Sequence, residues 1–383
     1  MDFQLTEQQT LIRDMARSFA EGELLPRATQ MDRQAFIDPE VFAKMSELGL
    51  WGLTVPEAYG GAGMGNLELA LVLEEINRGC ASTGVTLSVH NSLLGAPINK
   101  WGSEEQKRTW LPRLATGEVI GAYCLTEPNA GSDAGALRTS AKLDGDAWVL
   151  DGTKVWVTNG GTCGVMIVYA RTGTLESRAK GISAFLVPKD TPGLSVGKHE
   201  KKCGIRASST TEILLENVRL PKSALMGKLN DGFAIAMDTL DGGRIGIAAQ
   251  AVGIGRACLE AAVKYSKERE QFGQPIANFQ AIQWKLADMS MRIDAARLLV
   301  HQAAWMRDRK ERCSQQAAEA KLFASQTANY CADECLQIHG GAGYTDHFHV
   351  ERLFRDARIT EIYEGASDIQ RIVISRAVLS GGA

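Results

Sequence analysis

Three textures of apolar and polar positions follow one another along the chain. Through roughly residue 118 the spacing is helical: Thr6 is placed to cap a helix ahead of Glu7, Gln8 and Gln9, and Leu11, Met15 and Phe19 recur every four residues as its apolar stripe. The run 67–76 that follows Asn66 is apolar on every side and predicts a buried helix, with a loop at 55–61 before it. From about 119 to 225 short β-branched and aromatic runs (148–150, 154–158, 165–170, 182–187 and 211–215) alternate with Gly, Asp, Asn and Pro, the pattern of a β domain. Asp151 and Gly152 predict a hairpin turn between the first two of these strands. After about 226 helical spacing returns. Ile282, Leu286, Met289, Ile293, Ala296 and Val300 step by four and three along one long helix, as bundle packing requires. Further helices are expected at about 314–338 and 367–379, with a glycine-rich stretch from Gln337 to Tyr344 after the first of them. The division is therefore 1–118 helical, 119–225 β and 226–383 helical, an α+β chain.

Composition narrows the class. With 383 residues, 45% hydrophobic and 23% charged, the chain can bury a large core in two or three domains. A net charge of -3 gives no general attraction to nucleic acid or to an anionic membrane. No apolar run is read as long enough to span a bilayer, and the start at Met1, Asp2 and Phe3 lacks a basic segment and an apolar core for export, so an intracellular protein is expected. The eight cysteines stand singly except for Cys331 and Cys335, which share a helix face without a second pair of ligands. Reduced thiols and no metal follow.

Two segments carry candidate chemistry. There is no glycine fingerprint of a Rossmann or P-loop site, but the stretch from Tyr123 to Gly135 holds small residues and hydroxyls that could bring backbone N–H groups against a phosphate; such clusters also serve as plain loops. Near the C-terminus Glu364 lies between Tyr363 and Gly365, where the glycine permits close approach of a ligand and the tyrosine can exclude water. A carboxylate so placed can take a proton, although a solvated loop charge is the plain reading of that tripeptide in isolation.

The first of these segments resembles the first signature of the acyl-CoA dehydrogenase family, and 156–161 resembles the flavin-side strand that follows it. Arg269 to Gly273, Gln280, Gln337 to Gly343 and Tyr363 to Gly365 fall in that family's order and spacing, so the resemblance spans essentially the whole chain. It implies an N-terminal helical domain, a central β-barrel-like domain and a C-terminal four-helix bundle, assembled as a homotetramer with FAD in each subunit. It implies that Tyr123, Leu125, Thr126 and Ser132 contact the flavin, Ser132 also the substrate, and that Trp156 and Thr158 flank the isoalloxazine ring. Arg269, Phe272, Gln280, Gln337, Ile338, Gly340 and Gly341 would hold the FAD of an adjoining subunit, with Ala366 and Asp368 also at the cofactor. Asp241, Arg244, Tyr363 and Gly365 would bind the acyl-CoA. For Arg269 the alternative is a surface ion pair with Glu268 or Glu270; for Asp241 and Arg244, an ion pair on a helix surface; for Trp156, an ordinary barrel aromatic.

The reaction so implied is α,β-dehydrogenation. Glu364 would take the pro-R Cα proton of an acyl-CoA while the Cβ hydride passes to flavin N5, giving the trans-2-enoyl-CoA. The Glu364 N–H and a ribityl hydroxyl would polarise the thioester carbonyl. Burial should raise the pKa of the carboxyl toward working pH. Some members carry the base near Arg244, a position held here by Gly243. Electron-transferring flavoprotein is the family's usual acceptor, and butyryl-CoA the first substrate expected, with 2-methylbutyryl, isobutyryl or small cyclic acyl groups next. A bacterial cytoplasm, or a mitochondrial matrix after loss of a transit peptide, is the expected compartment. His347 and Ala366 depart from the family's pattern, the former replacing a carboxylate or amide and the latter a threonine. An oxygen-using acyl-CoA oxidase, a nucleic-acid-binding member and a non-catalytic paralogue are rival readings. The compact length speaks against the longer oxidases, the lack of an extra basic domain against the second, and the presence together of Glu364, Thr158 and Arg269 against the third.

Overall fold

A computed structural model describes residues 4–381. The N-terminal helices are α1 (Glu7–Phe19), α2 (Ala28–Gln34), α3 (Pro39–Glu47), α4 (Asn66–Gly79), α5 (Ala81–Ser88), α6 (Ala96–Trp101) and α7 (Glu104–Ala115). Thr6 caps α1 as expected: its hydroxyl accepts the Gln9 N–H at 3.2 Å, while the Gln9 side chain accepts the Thr6 N–H at 3.0 Å. Of the expected stripe, Phe19 is buried and Met15 packs half-buried against the core, but Leu11 falls outside it. Leu11 is 65% exposed, and Ile12, Ala16 and Phe19 form the buried face, because α1 lies on α4 along that side. The helix α4 is buried at every position from Leu69 to Gly79, including Glu74, Glu75 and Arg78. These charges are tolerated because Arg17, Arg256 and Arg297 reach the two glutamates from three other helices, and Arg78 pairs with Glu75, Glu21 and Glu260.

Eight strands form one curved sheet: β1 (Gly121–Cys124), β2 (Ser140–Asp144), β3 (Ala147–Thr158), β4 (Val165–Arg171), β5 (Ile182–Pro188), β6 (Leu194–His199), β7 (Thr210–Pro221) and β8 (Leu225–Met226). Their order is β6-β7-β3-β2-β4-β5-β8, with β1 added parallel to β4. Every residue of β4 is buried, since one face meets the barrel core and the other the helices. The hairpin expected at Asp151 and Gly152 is absent. Strand β3 runs straight through both residues, and opposite them β7 bulges at 216–217, with Asn217 at φ 53; Gly152 lies so close to Thr139 that a Cβ would stand 2.7 Å from the Thr139 α-carbon. The β2–β3 turn falls instead at 145–146, where Gly145 takes φ 60.

The C-terminal helices are α8 (Gly232–Glu268), α9 (Gln280–Asp308), α10 (Ser314–His339), α11 (Val350–Ile359) and α12 (Ser367–Leu379), and between α8 and α9 a two-stranded ribbon joins β9 (Glu270–Gln271) to β10 (Gln274–Pro275). The stripe on α9 faces inward at Met289, Ile293, Ala296 and Val300. By length and composition α8 could cross a bilayer, contrary to the reading that no run is long enough; most of it is packed inside the protein against α4, α9 and α10. Small residues on its faces allow that close packing, and they make the helix apolar.

Candidate active site

The turn that carries Glu364 is built by the end of α11. Ile362 and Tyr363 donate their N–H groups back to the Ile359 carbonyl, at 2.9 and 3.2 Å, and the chain then leaves the helix through two left-handed residues, Glu364 at φ 50 and Gly365 at φ 95. For glutamate that conformation costs on the order of 1–2 kcal/mol, so the surroundings must hold it. They do so from two sides. Gln370 of α12 and Lys321 of α10 each donate to the Gly365 carbonyl at 2.7 Å, and the Tyr363 hydroxyl donates to the Gln250 side-chain oxygen on α8.

The Glu364 carboxyl is directed against α8. Its Oε2 is shut away from water and has no hydrogen-bond partner, and a Cβ at Gly243 would overlap it. Leu93, in the π-helical segment Val89–Gly95, borders the same space, 2.8 Å from where that Cβ would stand. Burial pushes the carboxyl up to about 7, against the pull of the Lys321 and Arg244 cations. The N–H of Glu364 has no acceptor among the described residues. A strained turn thus presents a free donor and a free carboxyl oxygen together.

Arg244 and Asp241 are paired at 2.6 Å across one turn of α8, but not on a surface: Arg244 is buried with its Nε unpartnered, and Asp241 also accepts from the Ser314 hydroxyl at 2.5 Å. Tyr123 belongs to the same group. Its hydroxyl donates to the Ala236 carbonyl of α8 at 3.4 Å, and burial, with Tyr169 and the Glu364 charge adding to it, raises its pKa well above the usual phenol value.

The two stretches expected at the flavin lie side by side. Val155 donates its N–H to the Thr126 carbonyl at 2.9 Å, and the buried Lys154 reaches the Leu125 carbonyl at 3.1 Å and Glu127 at 2.7 Å. Burial alone would raise the Glu127 carboxyl; the Lys154 ammonium and the Thr139 and Arg138 N–H donors outweigh it and hold it below the usual range. Trp156 sits in a bulge of β3 at φ 59 with 62% of its surface exposed, so it is not an ordinary barrel aromatic. The hydroxyls of Thr126, Ser132 and Thr158 make no hydrogen bond among the described residues. A strained exposed indole, with the free hydroxyls of Thr158 and Thr126 on the same and the adjoining stretch, fits a planar, polar-edged cofactor.

The remaining expected residues lie apart from this group. Arg269 is exposed and, among the described residues, pairs with neither Glu268 nor Glu270; Phe272 is 93% exposed and Gln280 begins α9. The end of α10, with Gln337 and Ile338, and the turn after it, with Gly340 and Gly341, adjoin Arg269, since Tyr265, whose carbonyl accepts the Arg269 N–H, stacks on His339 at 4.2 Å. Within one chain neither segment hydrogen-bonds to Tyr123, Trp156 or Glu364. Ala366 caps α12 through its carbonyl alone, and Asp368 is exposed beside Arg371. Sequence reasoning missed Leu93, Lys321 and Gln370. The signal for Lys321 was a single cation among the small residues Ala317, Ala318, Ala320 and Ala324 of a buried helix. Two open clefts, of about 330 and 410 Å³, lie elsewhere, lined by charges such as Asp32, Arg33 and Arg206 and free of this chemistry.

The fold and site define an acyl-CoA dehydrogenase, and the chain belongs to that family: residues 6–118, 122–218 and 230–379 match its N-terminal, middle and C-terminal domain models. It is 50% identical over 376 residues to the mitochondrial short-chain specific acyl-CoA dehydrogenase of Bos taurus, covering 98% of this chain and 91% of that protein. Among solved structures it resembles the butyryl-CoA dehydrogenase of Megasphaera elsdenii, at 42% identity and a TM-score of 0.97 over 99% of this chain and 100% of that one. A chain from the structure of the electron transferring flavoprotein of Acidaminococcus fermentans, concerned with flavin-based electron bifurcation, is 47% identical with a TM-score of 0.97, over 99% and 100% of the two chains.

Proposed function

We propose that this protein oxidises a short-chain acyl-CoA to the trans-2-enoyl-CoA, with Glu364 as the base, and passes the electrons to electron-transferring flavoprotein. The observation that carries this reading is the sealed, partnerless Oε2 of Glu364, held in a left-handed turn with its carboxyl pushed up to about 7. A base matched to working pH can take a Cα proton only if the resulting enolate is stabilised, and the free Glu364 N–H supplies one donor for the thioester oxygen. Tyr363, locked to Gln250, walls the base from water. Arg244 and Asp241 anchor the CoA portion and keep the acyl group pointed at the carboxyl.

FAD would be held by Tyr123, Leu125, Thr126, Ser132, Trp156 and Thr158, with Ala366 and Asp368 nearby, and when bound supplies the two-electron acceptor for the hydrogen leaving Cβ. Arg269, Phe272, Gln280, Gln337, Ile338, Gly340 and Gly341 serve the cofactor of a second copy, in a homotetramer. Its support is on α9, where Trp284, Met291, Leu298 and Trp305 recur every seventh residue on the outward face and are each at least half exposed. The short acyl preference rests on the bovine and Megasphaera relatives, with butyryl-CoA ahead of 2-methylbutyryl, isobutyryl and small cyclic groups. The three regions 1–118, 119–225 and 226–383 act as cooperating domains around this site.

The test is an anaerobic titration of the yellow protein with linear, branched and cyclic short acyl-CoAs, followed by loss of flavin absorbance. Rapid bleaching by butyryl-CoA, with crotonyl-CoA as product, is expected. Full occupancy by FAD without bleaching by any of the panel would reject the reading.

A further inference from the structure

Lys321 is the one group at the site whose charge nothing so far explains. It lies on α10, fully buried, among alanines that let the helix approach the Glu364 turn closely. Burying an ammonium is costly unless it is paired, yet its hydrogen bond is to a neutral acceptor, the Gly365 carbonyl at 2.7 Å. Gln370 already donates to that same carbonyl at 2.7 Å, so a neutral side chain would be enough merely to close the turn. What an ammonium adds is charge beside the adjoining carboxylate.

We propose that Lys321 is a positioning residue for the base: it holds the Gly365 carbonyl and, through its charge, sets the pH above which Glu364 can accept a proton. The proposal rests on the dehydrogenase reading for its consequence but not for its geometry. Facing Glu364 are Lys321 from α10, Arg244 with its partner Asp241 from α8, Tyr123 from β1 and Tyr363 from its own segment, while the Glu361 charge acts on Lys321. Arg244 is already paired with Asp241 at 2.6 Å, which leaves Lys321 as the cation without a carboxylate in hydrogen-bond contact. Burial draws the Lys321 ammonium down to about 8, with the Glu364 charge opposing that fall. Between about 7 and about 8 both groups are therefore charged, the window in which the base is ready and its counter-ion is present.

The experiment is an infrared pH titration of the FAD-bound protein, with the Glu364 carboxyl band assigned by its loss in Glu364→Gln. Removing a nearby cation makes a carboxylate harder to form. In Lys321→Met the midpoint should rise by about one pH unit, and the acid limb of kcat/KM should move the same way. Lys321→Arg, which keeps the charge, should return most of that shift. Should Lys321→Met not fold, Lys321→Gln keeps a donor toward Gly365 without charge and carries the same expectation. A Glu364 midpoint unmoved in the uncharged variant would overturn the proposal, even with catalysis intact. Failure of every acyl-CoA to bleach the flavin would instead overturn the function, while the infrared midpoints would still read the Lys321–Glu364 coupling.

Discussion

Oε2 of Glu364 occupies the space that a Cβ at residue 243 would need, and Gly243 leaves it open. The neighbour that would otherwise compete for the acyl end of the site is thus reduced to a hydrogen, and the carboxyl reaches α8 without disturbing the helix.

Gly243→Ala should therefore separate stability from activity. A helix interior gains up to about 1 kcal/mol from Gly→Ala, which offsets part of the local overlap, whereas a base displaced by about 1 Å loses on the order of 10²-fold in rate. We expect melting within a few degrees of the parent and flavin reduction by butyryl-CoA slowed by about that factor. Flavin reduction at full speed in Gly243→Ala would show that the carboxyl does not need this space.

The pH dependence follows from the direction of the Glu364 shift. Its carboxyl titrates at about 7 in the fold against 4.5 ordinarily. The folded state thus holds that proton more tightly, so this group favours folding below about 4.5 and loses that contribution as pH rises through about 7. The kcat/KM should fall about tenfold per pH unit below the midpoint and level off above it. Glu364→Gln should melt higher than the parent at pH 8 by more than it does at pH 5, as read by calorimetry. An equal difference at both pH values would mean that the carboxyl is not strained by burial.

Trp156 gives a second separation. Its left-handed backbone at φ 59 disfavours a large side chain, and the indole is 62% exposed, so the chain alone gains little from it. Trp156→Gly should leave the melting temperature of the FAD-free protein unchanged or raised, while weakening FAD retention about tenfold or more in a fluorescence titration. Loss of stability without loss of FAD affinity would assign the indole to packing instead.

On α9, Trp284→Glu with Leu298→Glu places two charges on the exposed heptad face. Light scattering should give a multiple of 41.4 kDa for the parent and a smaller species for the variant, with FAD lost as well if Arg269 and Phe272 serve a second copy. An unchanged mass would place the assembly on another face.

Periodicity revealed what local chemistry controls. The cap at Thr6 and the inward stripe of α9 were legible because hydrogen-bonding groups and apolar side chains stand at fixed spacings. Glu364 stood out through its neighbours Tyr363 and Gly365, but the left-handed backbone of the pair was not expected. What escaped was set by neighbours far along the chain. Leu11 and Ile12 are equally apolar, and only the position of α4 decides which is buried. Asp151 and Gly152 have hairpin chemistry, but β7 runs alongside and holds them in the strand, bulging opposite Asp151 at 216–217. Lys321 stands 43 residues from Glu364 and looks like any helical lysine until α10 brings it under the turn.

The role of Glu364 as base is decided by stopped-flow mixing of the FAD-bound protein with butyryl-CoA, without oxygen, for the parent and for Glu364→Gln. If Glu364 removes the Cα proton, the parent bleaches rapidly and the variant, with FAD still bound, slows by at least about 10²–10⁴-fold. Bleaching of the variant at the parent's rate would show that another group removes the proton.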